Sequence, residues 1–263
     1  MLTLGIAQLP CNGNLKENLE SILEFATIAK ENGCSAVCFP ECALTGYSPE
    51  HAASQAIPHD DDSLQTLSSF AFNHSIDLIV GFMERHSDVY HITHGIFRAD
   101  GTKDFYRKSH LGQKEQLYFT PGNHLPLFSL SCGLTVGFQL CMETHFPEIS
   151  QTLALRGAEL IFAPHAVPKV SGDRKKIWTK YIPSRSYDNR VYVACCNQCD
   201  SDRFGGGCLV TDPRGEVLTS YYEETPHLLT FTVDRDLVSR YRTPGDKRST
   251  HYYPSRRRTE LYD

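Results

Sequence analysis

Three residues whose side chains together can cleave an amide lie at comparable places in the sequence, each after a run with a strand-like pattern. Glu41 follows the run Ala36–Phe39, and Cys141 directly follows the run Leu134–Leu140. Lys108 comes after a third such segment. Because residues at the carboxyl ends of sheet strands can converge on one crevice, we expect an acid, a cation and a thiol to share one site.

The chemistry of amide hydrolysis gives each of these side chains a distinct task. A thiol nucleophile divides the reaction into acylation and deacylation, but near neutral pH only a small fraction of a free thiol is thiolate. We therefore expect Glu41 to act as general base for Cys141, with burial raising its pKa above the usual value of about 4.3. The helix predicted after Cys141 would favour the thiolate through its N-terminus. Lys108, with the backbone N–H of Met142, is expected to stabilise the oxyanion.

Extended motifs surround the three residues, which occur in the order Glu, Lys, Cys. Phe39–Tyr47 reads FPECALTGY, Tyr106–Gly122 reads YRKSHLGQKEQLYFTPG, and Gly137–Glu148 reads GFQLCMETHFPE. In sequence and in order these motifs resemble the signatures of the nitrilase superfamily of carbon–nitrogen hydrolases. The resemblance continues in Gly207–Gly215 and in the terminal segment Arg256–Tyr262, so that it extends over essentially the whole chain.

The resemblance implies both a fold and an activity. The fold is an α/β arrangement of the four-layer α-β-β-α type, with two mixed sheets between outer helices, usually paired with a second subunit across those helices. The activity is hydrolysis of a small linear amide or N-carbamoyl compound, which we favour over nitrile hydrolysis because the superfamily is mostly amide-cleaving. Glu115, seven residues after Lys108, resembles a second glutamate that holds the lysine or the substrate nitrogen. No step of this chemistry requires a metal ion or a cofactor, and neither is predicted.

A further set of residues is expected to surround a small-molecule substrate. Glu143 and His145 depart from the Asp and Arg that are more usual in the family after the nucleophile. Glu143 is otherwise typical of a residue at the start of a helix, near the positive end of the dipole. The residues expected in contact with substrate are Tyr47, Met142, His145, His165 and Trp178, with Arg174 as a further candidate.

Cys196 and Cys199 indicate a different class of function. They form a C-x-x-C pair, which occurs in thiol redox proteins and in zinc sites. A single pair without a second set of ligands is weak evidence for zinc, and Gly205–Gly207, rather than a helix, follows. A catalytically silent scaffold is a third hypothesis, against which the intact acid, cation and thiol argue.

The elements that have to position these side chains follow from hydrophobic periodicity and turn residues. Strands and helices alternate over most of the length, which favours one α/β domain, residues 1–263, with 241–263 as a C-terminal tail that contacts a partner subunit. The predicted helices are Leu15–Lys30, Ser63–His74, Phe146–Arg156 and Asp173–Asn189. The predicted strands are Thr3–Leu9, Ala36–Phe39, Asp77–Phe82, Val89–Arg98, Lys103–Tyr106, Leu125–Leu130, Leu134–Leu140, Leu160–Ala163, Val191–Cys195, Cys208–Thr211, Val217–Tyr221 and Leu228–Val233.

The overall composition narrows the class of protein further. The 263 residues are 40% hydrophobic and 22% charged, which is typical of a globular protein. A net charge of -5 does not favour a nucleic-acid partner, and no apolar run reaches the roughly 18 residues of a membrane helix. The N-terminus lacks the basic segment of a signal peptide, so we expect a cytoplasmic homodimer or larger homo-oligomer whose ten cysteines are thiols.

Overall fold

The computed structural model describes residues 1–200 and 202–261; Tyr262, the last residue of the tail motif, lies outside them. Within these residues twelve strands alternate with six α-helices. The strands are β1 (Leu2–Gln8), β2 (Ala36–Cys38), β3 (Asp77–His86), β4 (Val89–Phe97), β5 (Lys103–Arg107), β6 (Phe128–Ser129), β7 (Thr135–Phe138), β8 (Leu160–His165), β9 (Tyr192–Asn197), β10 (Cys208–Thr211), β11 (Val217–Tyr221) and β12 (His227–Val233). The helices are α1 (Leu15–Glu31), α2 (Ala52–Gln55), α3 (Asp62–His74), α4 (Pro147–Arg156), α5 (Arg174–Asn189) and α6 (Arg235–Arg242).

The strands of the described residues form two six-stranded mixed sheets. The first has the order β12-β1-β2-β3-β4-β5, and the second has the order β11-β10-β9-β8-β7-β6. In the first sheet β1, β2 and β3 run parallel, and in the second sheet β7, β8 and β9 run parallel. Both sheets therefore have a parallel centre, where the carboxyl ends of neighbouring strands open at the same edge.

Each sheet packs one face against the other sheet and the opposite face against helices. The core between the sheets includes Ile6, Cys38 and Ile79 from the first sheet and Phe138 and Phe162 from the second. Helices α1 and α3 cover the outer face of the first sheet, and α4 and α5 cover that of the second. The layers follow the α-β-β-α order that the resemblance implies, and the predicted fold class is confirmed.

Two strands near the site are shorter than the apolar runs that indicate them. The run Leu125–Leu130 contributes only Phe128–Ser129 to the sheet, because Pro126 has no N–H to donate. The run Leu134–Leu140 contributes only Thr135–Phe138, and its last two residues lead into the turn at the nucleophile. Helices α2 and α6 were not expected from the sequence.

The end of the chain packs against α5. Arg190, which follows that helix, places its guanidinium 4.1 Å from the ring centre of Tyr187, 4.8 Å from that of Tyr241 and 5.1 Å from that of Tyr253. Its Nε also donates to the carbonyl of His251 at 2.9 Å. The described part of the predicted tail is therefore held against the body of the same chain. Nowhere in this described range is there a helix with the length and apolar character that crossing a bilayer requires.

Candidate active site

Glu41 lies in a tight turn directly after β2. Its side chain is fully buried, and its carbonyl accepts a hydrogen bond from Gln198 Nε2 at 2.7 Å. The next residue, Cys42, has a φ of 55°, in the left-handed region. Gly81 on β3 lies against this turn, because a Cβ at Gly81 would come within 2.5 Å of the Cys42 backbone nitrogen and 2.5 Å of His94 Cε1. Close packing thus fixes where the carboxylate points.

Lys108, which follows β5, joins two buried carboxylates. Its Nζ donates to Glu41 Oε1 and to Glu115 Oε1, each at 2.8 Å. Glu115 is held in turn by the Tyr47 hydroxyl, which donates to Oε1 at 2.9 Å, and by the Gly112 N–H, which donates to Oε2 at 2.6 Å. The second oxygen of Glu41, Oε2, is buried and has no hydrogen-bond partner in the described part of the chain. That oxygen is a free proton acceptor.

Cys141 follows β7 with a backbone that few residues adopt. Its φ is 45°, and it begins the 3-10 helix Cys141–His145, where Thr144 Oγ1 donates to the Cys141 carbonyl at 2.7 Å. The backbone N–H of Ala166, beyond β8, hydrogen-bonds the sulfur. Helix α4 begins only at Pro147, so the expectation that an α-helix N-terminus would favour the thiolate is wrong.

Burial and mutual charge set the protonation of these groups. Burial raises the pKa of Glu41 to about 7, an effect that the charge of Lys108 opposes and that of Glu115 reinforces. Burial, followed by the charge of Glu41, raises the pKa of Cys141 to about 12. Burial alone would lower the pKa of Lys108, but Glu41, Cys141 and Glu115 together raise it well above its usual value. At neutral pH Cys141 is therefore a thiol beside a carboxyl group that titrates.

Glu143 connects the loop of Lys108 to the loop of Cys141. Its side chain is fully buried, and its Oε1 accepts hydrogen bonds from the Tyr106 hydroxyl at 2.6 Å and the Ser109 N–H at 2.7 Å. Its Oε2 accepts from the Leu140 N–H at 2.7 Å. Glu143 lies in the first turn of the 3-10 helix, as its interpretation as a helix-start residue requires, and its carboxylate is in addition enclosed between two loops.

A cavity of about 410 Å³ opens onto Cys141. Of the residues expected in contact with substrate, Tyr47, Met142, His145 and His165 line it, and so does Arg174. Lining residues that sequence reasoning missed are Gly112, Gln113, Lys114, Ala166, Val167, Pro168, Ser171, Ile177 and Tyr181. Most of these residues follow β8 or face inward from α5. For those on α5, only the register of the folded helix distinguishes them from other apolar residues.

Trp178 does not line this cavity. It is fully buried in the core between the second sheet and its helices, with its ring centre 4.8 Å from that of His165. His165 Nδ1 lies 2.7 Å from the Ala163 carbonyl, so the proton resides on Nδ1 and Nε2 is an acceptor. That Nε2 is buried and has no partner among the described residues, and burial lowers the pKa of His165 to about 3. The Trp178 ring therefore packs against His165 without lining the cavity.

Cys196 and Cys199, on which the alternative function depends, are both buried thiols. Cys196 lies on β9 and faces the core between the sheets. Burial raises the pKa of Cys196 well above its usual value and that of Cys199 to about 12, so both are protonated thiols near neutral pH. Within 1–200 and 202–261, no group of three or more His, Cys, Asp or Glu side chains could hold a metal ion. The zinc and redox hypotheses gain no support.

Comparisons with known proteins relate this geometry to a family. Residues 3–243 match the family model described as carbon-nitrogen hydrolase. The chain is 30% identical over 230 residues to the human omega-amidase NIT2, covering 82% of each protein. It also superimposes on the NitN amidase of Nesterenkonia sp. AN1 with a TM-score of 0.84, at 26% identity and covering 100% of this chain and 98% of that one. A variant of that amidase, 25% identical with a TM-score of 0.83 and covering 100% and 98% of the two chains, carries acrylamide added to its active-site cysteine.

Proposed function

The chain belongs to the carbon–nitrogen hydrolase family, and from that membership we propose that it hydrolyses a small linear amide or N-carbamoyl compound through a thioester on Cys141. It is an enzyme that acts on carbon–nitrogen bonds other than peptide bonds. The observation that carries the proposal is the pair of unequal oxygens on Glu41. Lys108 holds Oε1, whereas Oε2 is buried without a partner beside a thiol that needs a base.

In the acylation step Glu41 Oε2 takes the thiol proton as the Cys141 sulfur attacks the carbonyl carbon. The Lys108 ammonium and the Met142 N–H stabilise the oxyanion that forms. Glu41 then passes its proton to the nitrogen of the substrate. The carbon–nitrogen bond breaks, ammonia or an amine leaves, and an acyl group remains on the sulfur.

In the deacylation step a water molecule replaces the amine. Glu41 takes a proton from this water, whose oxygen bonds to the thioester carbon. The carbon–sulfur bond breaks, and the proton returns from Glu41 to Cys141. A carboxyl pKa of about 7 suits both directions of transfer, because near neutral pH the group accepts and donates a proton at similar cost.

Glu115 and the residues around the cavity have supporting roles in the proposal. Glu115 accepts from Lys108 at 2.8 Å and from Tyr47 at 2.9 Å, which supports a role in fixing the ammonium. His165 offers a neutral acceptor nitrogen to an N–H of the substrate. Met142 and His145 line the cavity, where they contact the part of the substrate beyond the amide.

The location and assembly of the enzyme are part of the same proposal. We infer that it acts in the cytoplasm as one domain and that two copies pair through α4 and α5. The support is the exposure of Leu155 on α4 and of Tyr187 on α5, both large apolar residues on the outer layer. Light scattering of the purified protein tests the assembly, for which a monomer would be the contrary result.

The function is tested by measuring ammonia release from amides, N-carbamoyl amines, N-carbamoyl amino acids and nitriles. Native protein is compared with Cys141→Ala and with Cys132→Ala, which removes a partly buried thiol from the connection before β7, whereas Cys141 follows the end of that strand. We expect at least one amide or N-carbamoyl compound to be hydrolysed by native protein and Cys132→Ala but not by Cys141→Ala.

Mass spectrometry of quenched native enzyme should then detect the substrate acyl group on the peptide containing Cys141. Activity that persists in Cys141→Ala would contradict the assignment of the nucleophile. Turnover confined to nitriles would replace the proposed substrate class with the alternative chemistry of the same fold.

A further inference from the structure

Arg174 is a cation of the Cys141 cavity that makes no ion pair with a carboxylate in the described part of the chain. The other two cationic side chains of the wall are neutralised: Lys108 by Glu41 and Glu115, and Lys114 by Glu50, whose Oε2 is 3.1 Å from Nζ. Asp173, adjacent in sequence, caps α5 and pairs with Lys176 rather than with Arg174. Among the arginine and lysine side chains that line the cavity in the described residues, Arg174 alone therefore has no carboxylate partner.

The backbone holds the guanidinium of Arg174 in a fixed orientation. Its Nη2 donates to the Ser171 carbonyl at 2.7 Å, and its Nε and Nη2 each donate to the Gly172 carbonyl at 3.2 Å. These acceptors are neutral, so they position the group without cancelling its charge. The side chain is half-buried, which makes its charge less screened than that of an exposed arginine.

Two neighbouring imidazoles are affected by this charge. Burial is the main cause that lowers the pKa of His145 and of His165, and Arg174 lowers both further. The ring of His165 is neutral at pH 7, since its pKa is about 3. Burial lowers the pKa of Arg174, and the negative charge of a thiolate at Cys141 would oppose that shift. The guanidinium therefore acts on the same space in which the substrate is attacked.

We propose that the substrate is a short amide or N-carbamoyl compound whose far end is a carboxylate, and that Arg174 binds this carboxylate. The inference rests on the proposed hydrolysis and names its substrate class. Val167, Pro168 and Ile177 line the same cavity and give it apolar wall, which suits a short aliphatic chain. A guanidinium recognises a carboxylate through paired charge-assisted hydrogen bonds, which gives orientation as well as affinity.

Binding is measured first, in a background that cannot turn over. Cys141→Ala is titrated by calorimetry with succinamate, with N-carbamoyl-β-alanine and with butyramide, which has the succinamate amide but a methyl group in place of the carboxylate. We expect one of the two anionic compounds to bind about 10- to 100-fold more tightly than butyramide, the range expected of a hydrogen-bonded charge pair. Whichever of the two binds more tightly distinguishes an amide from an N-carbamoyl substrate.

Arg174→Gln, added to this background, should remove most of the preference, and Arg174→Lys should retain part of it. The matched control is Lys175→Gln, which removes the same charge from an exposed neighbour that does not line the Cys141 cavity. It should leave the preference unchanged. Circular dichroism of each variant excludes misfolding as the cause.

Ammonia release by native enzyme from the same three compounds separates the two proposals. Equal affinity for anionic and neutral compounds, or a preference that survives Arg174→Gln, overturns the carboxylate site. Turnover of butyramide in preference to both anions also overturns it, while leaving the hydrolysis proposal intact. If succinamate binds through Arg174 but native enzyme hydrolyses none of the three, the anion site stands and the proposed hydrolysis fails for this class.

Discussion

At the scale of single residues, the proposed catalysis depends on a carboxyl group whose two oxygens have different neighbours. One oxygen of Glu41 is tied to Lys108, and the other has no hydrogen bond within the described residues. Because the Lys108 ammonium is also bound to Glu115, Glu41 does not receive its full neutralising effect. The result is an acid that burial moves to a pKa of about 7 without locking it in either state.

The pH dependence of kcat/KM should report this carboxyl group. The reaction needs Glu41 deprotonated to accept the thiol proton, so activity is expected to be low below pH 6 and to rise as pH increases through about 7. Glu41→Gln should lower kcat/KM by about 10²- to 10⁴-fold and remove that rise. Initial rates of ammonia release between pH 5 and 9 give both quantities. An unchanged acid limb in the variant would assign the titration to another group.

Sequence and structure agree best where a residue is surrounded by a long local motif. Glu41, Lys108 and Cys141 could be identified because the residues around each of them repeat a known pattern. Glu143 could not, because its partners Tyr106 and Ser109 lie 37 and 34 residues earlier and meet it only after the sheets pack. Trp178 was expected beside the substrate for a related reason, since no periodicity indicates which of two neighbouring rings faces a cavity.

At the scale of elements, the loop after β5 and the turn after β7 are joined by one buried carboxylate. Glu143 accepts hydrogen bonds from both, so that the cation and the nucleophile keep a fixed separation although they belong to different sheets. It does not line the cavity, and we therefore treat it as a positioning residue.

Glu143→Gln should weaken this connection with little change in volume. An amide in place of the carboxylate turns an acceptor into an N–H group that faces another N–H donor, so we expect kcat to fall at least about 10-fold. The variant also removes the charge of Glu143, which contributes to raising the Glu41 pKa, so the acid limb of the pH profile should shift to lower pH. Glu20→Gln, an exposed charge on α1, is the control and should change neither quantity. Loss of stability with an unmoved acid limb would indicate a purely structural role.

The close approach of β3 to the turn of Glu41 supplies a second prediction at this scale. Gly81→Ala would place a methyl group 2.5 Å from the Cys42 backbone nitrogen and 2.8 Å from the Pro40 carbonyl, so the turn has to move. We expect a loss of about 1–3 kcal/mol in the free energy of unfolding, with a fall in kcat. Gly33→Ala is the comparison, since its Cβ meets nothing within 4 Å and its φ of 76° costs stability only. Urea unfolding and ammonia release measure the two effects, and full activity in Gly81→Ala would show that the turn tolerates displacement.

At the scale of the whole molecule, the first strand and the later segments of the chain pack together to complete the layers. Strand β12 pairs with β1 in the first sheet, with Val233 opposite Leu2, while the segment beyond α6 returns to the helices of the second sheet. Arg190 fixes that return through three tyrosine rings and the His251 carbonyl. The alternation of strands and helices in the sequence predicted the layers. The tail has an irregular backbone and no hydrophobic periodicity, so its path could not be predicted from the sequence.

Replacement of this arginine tests how much the tail contributes. Arg190→Ala removes two charge-assisted hydrogen bonds, to the carbonyls of His251 and Pro213, and the contacts with three tyrosine rings. We expect a loss of about 2–4 kcal/mol in unfolding free energy. Arg256→Ala, an exposed arginine of the tail, should lose less than about 0.5 kcal/mol. Denaturant titration compares the two variants. Equal stabilities would mean that the tail adds nothing to the fold.

Residues from the two halves of the chain have different proposed roles in the site. The groups proposed to transfer and hold protons, Glu41, Lys108 and Glu115, all come from the first half, whereas the proposed substrate contacts His165 and Arg174 come from the second half. Cys141 stands at the boundary, at the start of the second half. Changes in the later half can therefore alter which molecule is accepted while the proton-transfer apparatus stays intact. Related enzymes with this architecture can therefore come to hydrolyse different substrates while the mechanism of hydrolysis stays the same.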